Sequence, residues 1–405
     1  MESEQAAEYA QLQQSNAERL KKQALISSLS LKAQQQAYID LDSAQNNIML
    51  AYGYYTDSTI GAPRWHPQLF AGLHEVASAL FTWEPSVFSM GPGGDQWSGI
   101  DGVGNHISLV TTNGYMRSGS FPFTADLPMD DIHKSWQTLS RHPSQPWEAF
   151  GNLSGELRLR EFGVADSLRQ LYEASDAHTA WISNIAWAPN AQQILAVGYD
   201  GKLTQWSYAN DTLVLLHEAE GSTRKKYRSV TVHPNGQTLL AGTLEGVVET
   251  WDIRDGLNQV DSTRLKETGG AYIRSLFYHG NQEAIAVMSD GSIHVKSGTG
   301  WHRRVESLPK VSSSQFGGEV TALAHASNYL AIADDRKRIL LYNLEDLSAG
   351  TYVFEQHNSV CVDMYIDPQQ KVVYSVDNKQ VMAWRFDLNH LALSIRHHET
   401  SSSPQ

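Results

Sequence analysis

Two short basic runs are the residues of this sequence best suited to bind another molecule. They consist of Arg224, Lys225, Lys226 and Arg228 in the first run, and of Arg336, Lys337 and Arg338 in the second. Guanidinium and ammonium groups bind carboxylates and phosphates, and an aromatic side chain adds contact area. Trp181 is the aromatic residue that we expect beside them. These residues predict a surface for an acidic or phosphorylated protein segment, and the alternative is solvated loop charge without a partner.

The histidines and the single cysteine do not form a motif of catalysis or metal binding. The sequence has 16 His and 1 Cys, but it lacks His-Glu-x-x-His, Gly-x-Ser-x-Gly and a phosphate-binding glycine loop with Lys. We interpret Gly91–Gly94 as a hairpin turn and Cys361 as a buried thiol on an innermost strand. His142-Pro143 and His233-Pro234 are interpreted as one turn that recurs in two repeats. The prediction is no catalytic residue, no metal and no cofactor.

Charge and hydropathy argue against several classes of protein. The net charge of −13 disfavours DNA and RNA as partners, because affinity for a phosphate backbone needs clustered Lys and Arg. The sequence lacks a run of about 18 apolar residues that could span a bilayer. Its polar start, Met1–Glu8, is unlike a secretory signal, and one cysteine favours a reducing compartment. We therefore expect a cytoplasmic protein, and membrane association through a partner or through a region preceding residue 1 stays open.

A repeat of about 40 to 50 residues organises the chain after residue 81. Short segments rich in Val, Ile, Thr and aromatic residues are separated by turns, and the turn after the first strand recurs. It falls at Gly93, Pro143, Pro189, Pro234, Gly280, Ser327 and Pro368. Seven such units predict an all-β seven-bladed β-propeller with an α-helical N-terminal segment, because radial packing buries faces that one sheet leaves open. The innermost strands are expected to be apolar on both faces, as at Ile185 and Trp187.

The predicted domains are a helical linker or stalk at 1–81, the propeller at 82–396 and a disordered tail at 397–405. A helix without Pro or Gly covers Gln5–Ala37, a second begins after Asp42 or Ser43, and a third covers Pro67–Leu80. The helical segment either packs along the propeller or extends as a stalk. The outer strand that closes the ring also has two possible sources, Leu391–Ile395 or a segment near Phe81.

One repeat resembles the WD40 family. Asp176–Ile182 lead into its first strand, Asp200-Gly201 form its second hairpin turn and Trp206 lies in its third strand, while the next unit ends in Trp251-Asp252. In that family a His, an Asp and a Trp at these places share a hydrogen-bond network, which the resemblance assigns to His178, Asp200 and Trp206. Val197 stands where the family usually has Ser or Thr, and the other repeats depart further.

The N-terminal segment is similar to a bacterial linker that precedes WD40 propellers in large signalling proteins. The likeness rests on Ala24–Ser28, Asp42–Gln45 and Leu50–Tyr52. Together the two resemblances imply a non-catalytic protein-interaction scaffold or regulatory sensor in a bacterial signalling or multiprotein assembly. The implied partners are an NTPase-like or protease-like effector or a membrane protein. The chain is either free-standing or one piece of a larger protein.

Two alternatives to this function stay open. The chain could be a fixed structural subunit of a complex, membrane-associated or not. A propeller enzyme would instead need polar side chains that converge on the inner strands, and His325 and Asp363 are the candidates for that role. Because one fold serves many functions, the sequence does not name the partner.

Overall fold

The chain forms two compact units. The helical unit comprises Met1–Pro85, Ala349–Val353 and Arg385–Gln405, and the β unit comprises Ser86–Ser348 and Phe354–Trp384. A computed structural model describes residues 2–80, 95–123, 130–131, 134–161, 171–189, 193–209, 212–221, 226–265, 270–281, 283–298, 300–309, 318–355 and 359–402.

Four helices form the helical unit: α1 (Glu2–Gln36), α2 (Leu41–Thr56), α3 (Pro67–Leu80) and α4 (Leu388–Ser402). α1 contacts α2 and α3, and α4 packs against both of the latter. Ile26, Ile48 and Leu73 are fully buried where these helices meet. The Tyr352 ring stacks on Trp65 and on Phe70, with centroid distances of 3.8 and 4.0 Å. None of the helices in the described residues has a stretch long and apolar enough to cross a membrane.

The ends of the helices correct the sequence predictions. α2 begins at Leu41, before the predicted start, because the carboxylate of Asp40 caps it by accepting the Ser43 N–H at 3.1 Å. The prediction of a disordered tail at 397–405 was wrong as far as Ser402, where α4 ends. Leu391–Ile395 is not a closing strand, since Leu391, Ala392 and Ile395 are fully buried along one side of α4.

The β unit consists of seven antiparallel sheets, or blades, in which the strands follow one another in chain order. Over the described residues the first six blades have four strands and the seventh has three. Blades 1 to 3 contain β1 (Trp97–Val103), β2 (His106–Thr111), β3 (Tyr115–Ser120), β4 (Asp130–Asp131); β5 (Trp136–Arg141), β6 (Trp147–Asn152), β7 (Leu157–Glu161), β8 (Leu171–Ala174); and β9 (Ile182–Trp187), β10 (Gln193–Gly198), β11 (Lys202–Ala209), β12 (Thr212–Glu220).

Blades 4 to 7 continue the same order along the chain. They contain β13 (Tyr227–Val232), β14 (Thr238–Thr243), β15 (Val247–Asp252), β16 (Asn258–Arg264); β17 (Ile273–His279), β18 (Glu283–Met288), β19 (Ile293–Ser297), β20 (Gly300–Val305); β21 (Val320–Ala326), β22 (Tyr329–Asp334), β23 (Ile339–Asn343), β24 (Tyr352–Phe354); and β25 (Cys361–Asp367), β26 (Val372–Asp377), β27 (Val381–Arg385).

The seven blades close into a ring. Each innermost strand contacts the innermost strands of the two neighbouring blades, and β25 of the last blade contacts β1 of the first. At this junction the Ile100 N–H donates a hydrogen bond to Asp363 Oδ2 at 3.0 Å. The predicted seven-bladed propeller is thereby confirmed. The second candidate for an outer closing strand, near Phe81, lies outside the described residues.

The most buried strand of each blade is the second strand, not the innermost one. In β10 and β14 every residue after the first is buried, and in β26 every residue is buried. The innermost strands are only partly buried; in β9, Ile185 is buried while Trp187 is only half-buried. The prediction of innermost strands that are apolar on both faces was wrong, because these strands border a central channel and leave part of their surface facing it.

The predicted repeat positions hold for blades 2 to 7 and fail for blade 1. Pro143 lies between β5 and β6, and the five turn residues predicted after it lie at the same place in the later blades. In blade 1 this turn is at Gly104-Asn105, which is 39 positions before Pro143. The position predicted for it, Gly93, lies outside the described residues, as does the turn predicted at 91–94. Within the described residues, blade 1 begins at Trp97.

Candidate functional site

A buried hydrogen-bond network in blade 3 joins the loop before β9 to strand β11. His178 Nδ1 lies 3.0 Å from Asp200 Oδ1, and His178 Nε2 lies 3.0 Å from Thr204 Oγ1. The Trp206 indole N–H donates to the same Thr204 hydroxyl at 2.9 Å. The hydroxyl of this network therefore comes from Thr204, which the sequence comparison missed while it considered Val197.

Within this network, the carboxylate of Asp200 holds two loops in place. Burial alone would raise the pKa of Asp200, but the hydrogen bond and charge of His178 and the backbone N–H groups of Thr179 and Lys202 hold this pKa below its usual value. Asp200 accepts the Thr179 N–H at 2.8 Å and the Lys202 N–H at 3.1 Å. The arrangement is structural, because its groups are engaged with one another and with the backbone.

One face of the propeller collects most of the residues predicted to bind a partner. In an antiparallel blade, the start of the innermost strand and the turn between the second and third strands lie at the same end. We call this end of the seven blades the entry face; it holds Trp181 before β9, Tyr199 in the β10–β11 turn, Lys226 before β13 and Arg336 in the β22–β23 turn.

Cations and aromatic rings of blades 3 and 4 meet on the entry face. The Arg228 guanidinium carbon lies 4.8 Å from the centroid of the Trp181 ring. Lys226 Nζ lies 5.5 Å from the centroid of Tyr199, and the rings of Trp181 and Tyr199 are 4.6 Å apart. The structure thus brings together three of the predicted residues and adds Tyr199. The two other basic residues of this run, Arg224 and Lys225, lie outside the described residues.

The second basic run lies in the turn between β22 and β23 of blade 6, so that blade 5 separates it from Arg228. Arg338 donates from Nε and Nη2 to Asp334 Oδ2 at 2.9 and 2.6 Å, and from Nη2 to the Pro309 carbonyl at 3.2 Å. Asp334 is fully buried. Arg338 is therefore held within its turn, whereas Lys337 occupies the left-handed backbone region at φ 66°.

A β-bulge occurs at the second residue of every innermost strand, and these residues form a ring at the entry end of the channel. A bulge inserts one extra residue and redirects its side chain. We call this set the mouth ring; it consists of Ser98, Gln137, Ser183, Arg228, Arg274, Thr321 and Val362. Each lies six positions before the turn residue of its blade, and this spacing is the signal by which the sequence could have revealed Arg274.

The central channel contains two cavities lined by the innermost strands. The cavity at the mouth ring has a volume of about 160 Å³ and is lined by Trp181, Arg228, Arg274 and Asp363 among others. The other, of about 420 Å³, is lined by later residues of the same strands, including Asp101 and His325. Polar groups therefore face the axis, although the sequence pointed only to His325 and Asp363.

The two channel carboxyl groups are held by backbone N–H donors of neighbouring blades. Asp363 accepts the N–H of Ile100, and Asp101 Oδ2 accepts the N–H of Arg141 at 2.6 Å. Burial raises the pKa of Asp101 to about 7 and that of Asp363 to about 6, although these hydrogen bonds oppose the change. Burial lowers the pKa of His325 to about 4, and its ring stacks on Phe277 at 4.0 Å. These groups join neighbouring blades, through the backbone N–H groups that Asp101 and Asp363 accept and through the stacking of His325 on Phe277.

The remaining candidates for chemistry serve turns and the core. His142 Nδ1 accepts the N–H of Gln145 at 2.8 Å, and His233 Nδ1 accepts the N–H of Asn235 at 3.0 Å, each in the first turn of its blade. Cys361 is buried, and burial raises the pKa of its thiol. Within the part of the chain that the structure describes, no three His, Cys, Asp or Glu side chains converge as metal ligands.

Comparison with known proteins finds similarity to WD40 repeats. The family described as WD40, "WD domain, G-beta repeat", matches residues 169–207, a range that contains the His178 network of blade 3. The small ribosomal subunit protein RACK1 of Drosophila melanogaster is 31% identical over 85 residues, which cover 20% of this chain and 26% of that protein. The match spans about a quarter of the length of this curated relative.

Proposed function

Since the chain is a WD40-repeat β-propeller, of a family that generally serves as a protein-interaction scaffold, we propose that it binds an acidic protein segment on its entry face. The observation that carries this proposal is the pairing of Arg228 with Trp181 and of Lys226 with Tyr199 across blades 3 and 4. Aromatic and arginine side chains dominate binding energy at protein interfaces. The net charge of −13 repels an acidic segment from the rest of the surface, so such a segment would be oriented toward these cations.

The arrangement favours recognition over catalysis. The polar network of blade 3 is saturated by its own members, and Asp101 and Asp363 accept backbone N–H groups. In contrast, Lys226 is exposed beside an aromatic ring and is available to a partner. A reversible partner held partly by charge supports a regulatory or signalling role more than a fixed structural one.

The test of this function is charge reversal on the entry face. The variant with Lys225→Glu, Lys226→Glu and Arg336→Glu should capture its native partner with an association rate about tenfold lower, because steering by rim charges is lost. The measurement is surface plasmon resonance at low and physiological salt, with the partner isolated on the wild-type chain. A matched control reverses Arg303 and Arg304 on the outer strand β20 and should behave as wild type. Equal capture by the entry-face variant and the control would refute the proposal.

We further propose that the helical unit links the propeller to an effector or a membrane protein in a larger, bacterial signalling assembly. The support is the exposed apolar side of α1, where Leu12, Leu20 and Leu31 are 59, 60 and 53% exposed. An apolar side that its own unit leaves uncovered suits contact with another chain or module. Replacement of these leucines by Gln should abolish that contact without affecting capture at the entry face.

A further inference from the structure

Two side chains at the channel mouth have hydrogen-bond donors without acceptors among the residues that the structure describes. The indole Nε1 of Trp181 is buried and has no acceptor among the described residues. The Arg228 guanidinium, which presents five N–H donors, meets the Trp181 ring but donates to no acceptor in the same described part of the chain. Both side chains line the cavity of about 160 Å³. Donors left unsatisfied in a cavity favour a ligand that brings acceptor oxygens.

A second guanidinium faces the same cavity from the next blade. Arg274 donates from Nε to the Val320 carbonyl at 3.4 Å and from Nη2 to the Thr321 carbonyl, which fixes its head group. Burial, with the nearby charge of Arg228, lowers the pKa of Arg274 to about 10, so it remains protonated at neutral pH. Two like charges on adjacent strands repel each other, and an anion between them offsets this repulsion.

The carboxyl group in this cavity does not replace such an anion. Asp363 Oδ2 accepts the Ile100 N–H at 3.0 Å and Oδ1 accepts the Met364 N–H at 2.9 Å, so both oxygens are engaged by the backbone. One monovalent carboxylate also cannot balance two guanidinium groups. The site retains an excess of positive charge and of donors.

We propose that the channel mouth binds one tetrahedral oxyanion, a phosphate or phosphate monoester, between Arg228 and Arg274 and against the Trp181 indole N–H. A phosphate matches the two positive charges with its own charge of about −2 and offers three acceptor oxygens. A carboxylate has one charge and two oxygens and fits less well. The inference rests on the proposed function only where the phosphate is carried by a protein partner; a free phosphate would occupy the same groups.

Calorimetric titration of the full chain tests this site with three probes. They are inorganic phosphate, a phosphoserine peptide flanked by neutral residues, and the same peptide without phosphate. Arg228→Gln should weaken binding of the phosphate-bearing probes about tenfold to a hundredfold, because charge-assisted hydrogen bonds are lost. Arg228 makes no structural hydrogen bond in the described residues, so an unchanged urea midpoint is expected for this variant. Arg303→Gln on β20 is the matched control.

The outcomes separate the inference from the proposed function. Binding of inorganic phosphate alone assigns the site to a free anion, and stronger binding of the phosphoserine peptide assigns it to a partner. The phosphate site is refuted if the wild-type chain binds neither inorganic phosphate nor the phosphoserine peptide. It is also refuted if Arg228→Gln binds both of them as tightly as wild type. Capture of a protein on the entry face would survive that result, just as phosphate binding would survive a failure of protein capture.

Discussion

Individual blades keep their loops in place with different polar side chains. Blade 3 uses His178, Thr204 and Trp206, whereas in blade 4 the Tyr227 hydroxyl donates to Glu249. In blade 7 the Trp384 indole N–H donates to Ser375 Oγ at 2.7 Å. A buried polar group is stable once it is hydrogen-bonded, whatever the residue type of its partner. This explains how seven blades share one strand order although most repeats depart from the WD40 sequence pattern.

At the residue scale, the side chains that belong to a sequence motif could be predicted. Those whose role depends on their position along a strand were missed. His178, Asp200 and Trp206 were identified by resemblance, but Thr204 follows from the position of β11, which no motif marks. Trp181 and Arg228 were identified as an aromatic and a basic residue near strand starts. Arg274 was missed because a lone arginine inside a strand stands out only when the repeats are aligned on their turn residues, which lie six positions after it and after Arg228.

Asp363 provides a test of the buried carboxyl groups by pH. Its pKa is raised from the usual 3.8 to about 6 by burial, against the opposing effects of the Ile100 and Met364 N–H groups and of Arg274 and Arg228. A raised pKa means that the folded chain prefers the protonated form. Its contribution to stability is therefore fully present below about pH 4 and is lost as the pH rises through about 6.

Asp363→Asn removes this loss, since the side chain then carries no charge. Its single amide oxygen can accept the Ile100 N–H or the Met364 N–H but not both, and this cost does not vary with pH. The variant should gain about 1 to 3 kcal/mol relative to wild type between pH 4 and pH 7. Urea unfolding at several pH values measures the difference, with Asp261→Asn on the exposed strand β16 as the matched control. A difference between Asp363→Asn and wild type that stays constant over this range would contradict the assigned pKa.

At the element scale, hairpin turns and strand alternation were predictable because they depend on local residue types. Asn113-Gly114, Asp200-Gly201 and Asp290-Gly291 all lie in the second turns of their blades, with each glycine at positive φ. The bulges and the fully buried second strands were not predictable, because they follow from the channel and from neighbouring blades. The first blade was misplaced for a different reason, because its 39-residue spacing to Pro143 departs from the spacing of the later repeats.

Gly155, in the turn between β6 and β7, shows how one blade fits against the next. Its φ is 87°, and a Cβ there would lie 2.0 Å from the His178 carbonyl oxygen of the loop before β9. Gly236 also has a positive φ, of 70°, but a Cβ there would meet only Pro189 Cδ at 3.9 Å. The two glycines therefore share backbone strain and differ in crowding.

Gly155→Ala should destabilise the propeller by about 2 kcal/mol more than Gly236→Ala, because only the former forces the blade 3 loop to move. Thermal unfolding monitored by circular dichroism compares the two variants with wild type. Gly236→Ala serves as the control for the cost of a left-handed alanine. If both variants lower the midpoint equally, the contact between the β6–β7 turn and the His178 loop does not contribute to stability.

At the scale of the whole molecule, the number of blades was predictable because the turn residues recur, and the ring follows from the need to cover each sheet. The secondary structure of the C-terminal segment was not predictable. Leu391, Ala392 and Ile395 are compatible with a short strand, and only packing in the helical unit shows that they belong to α4. The seven-bladed ring also places the starts of β9, β13 and β17 side by side. The candidate binding residues at these strand starts therefore lie together on the entry face.

Site-specific photo-crosslinking in the native host tests most directly whether the entry face binds a protein. A benzoylphenylalanine at Tyr199, beside Lys226, is compared with one at Val260, which is 60% exposed on the outer strand β16. We expect a discrete protein adduct from position 199 that disappears when Lys226 and Arg336 are changed to Glu, and none from position 260. No adduct at position 199, or an equal adduct at both positions, would contradict the account.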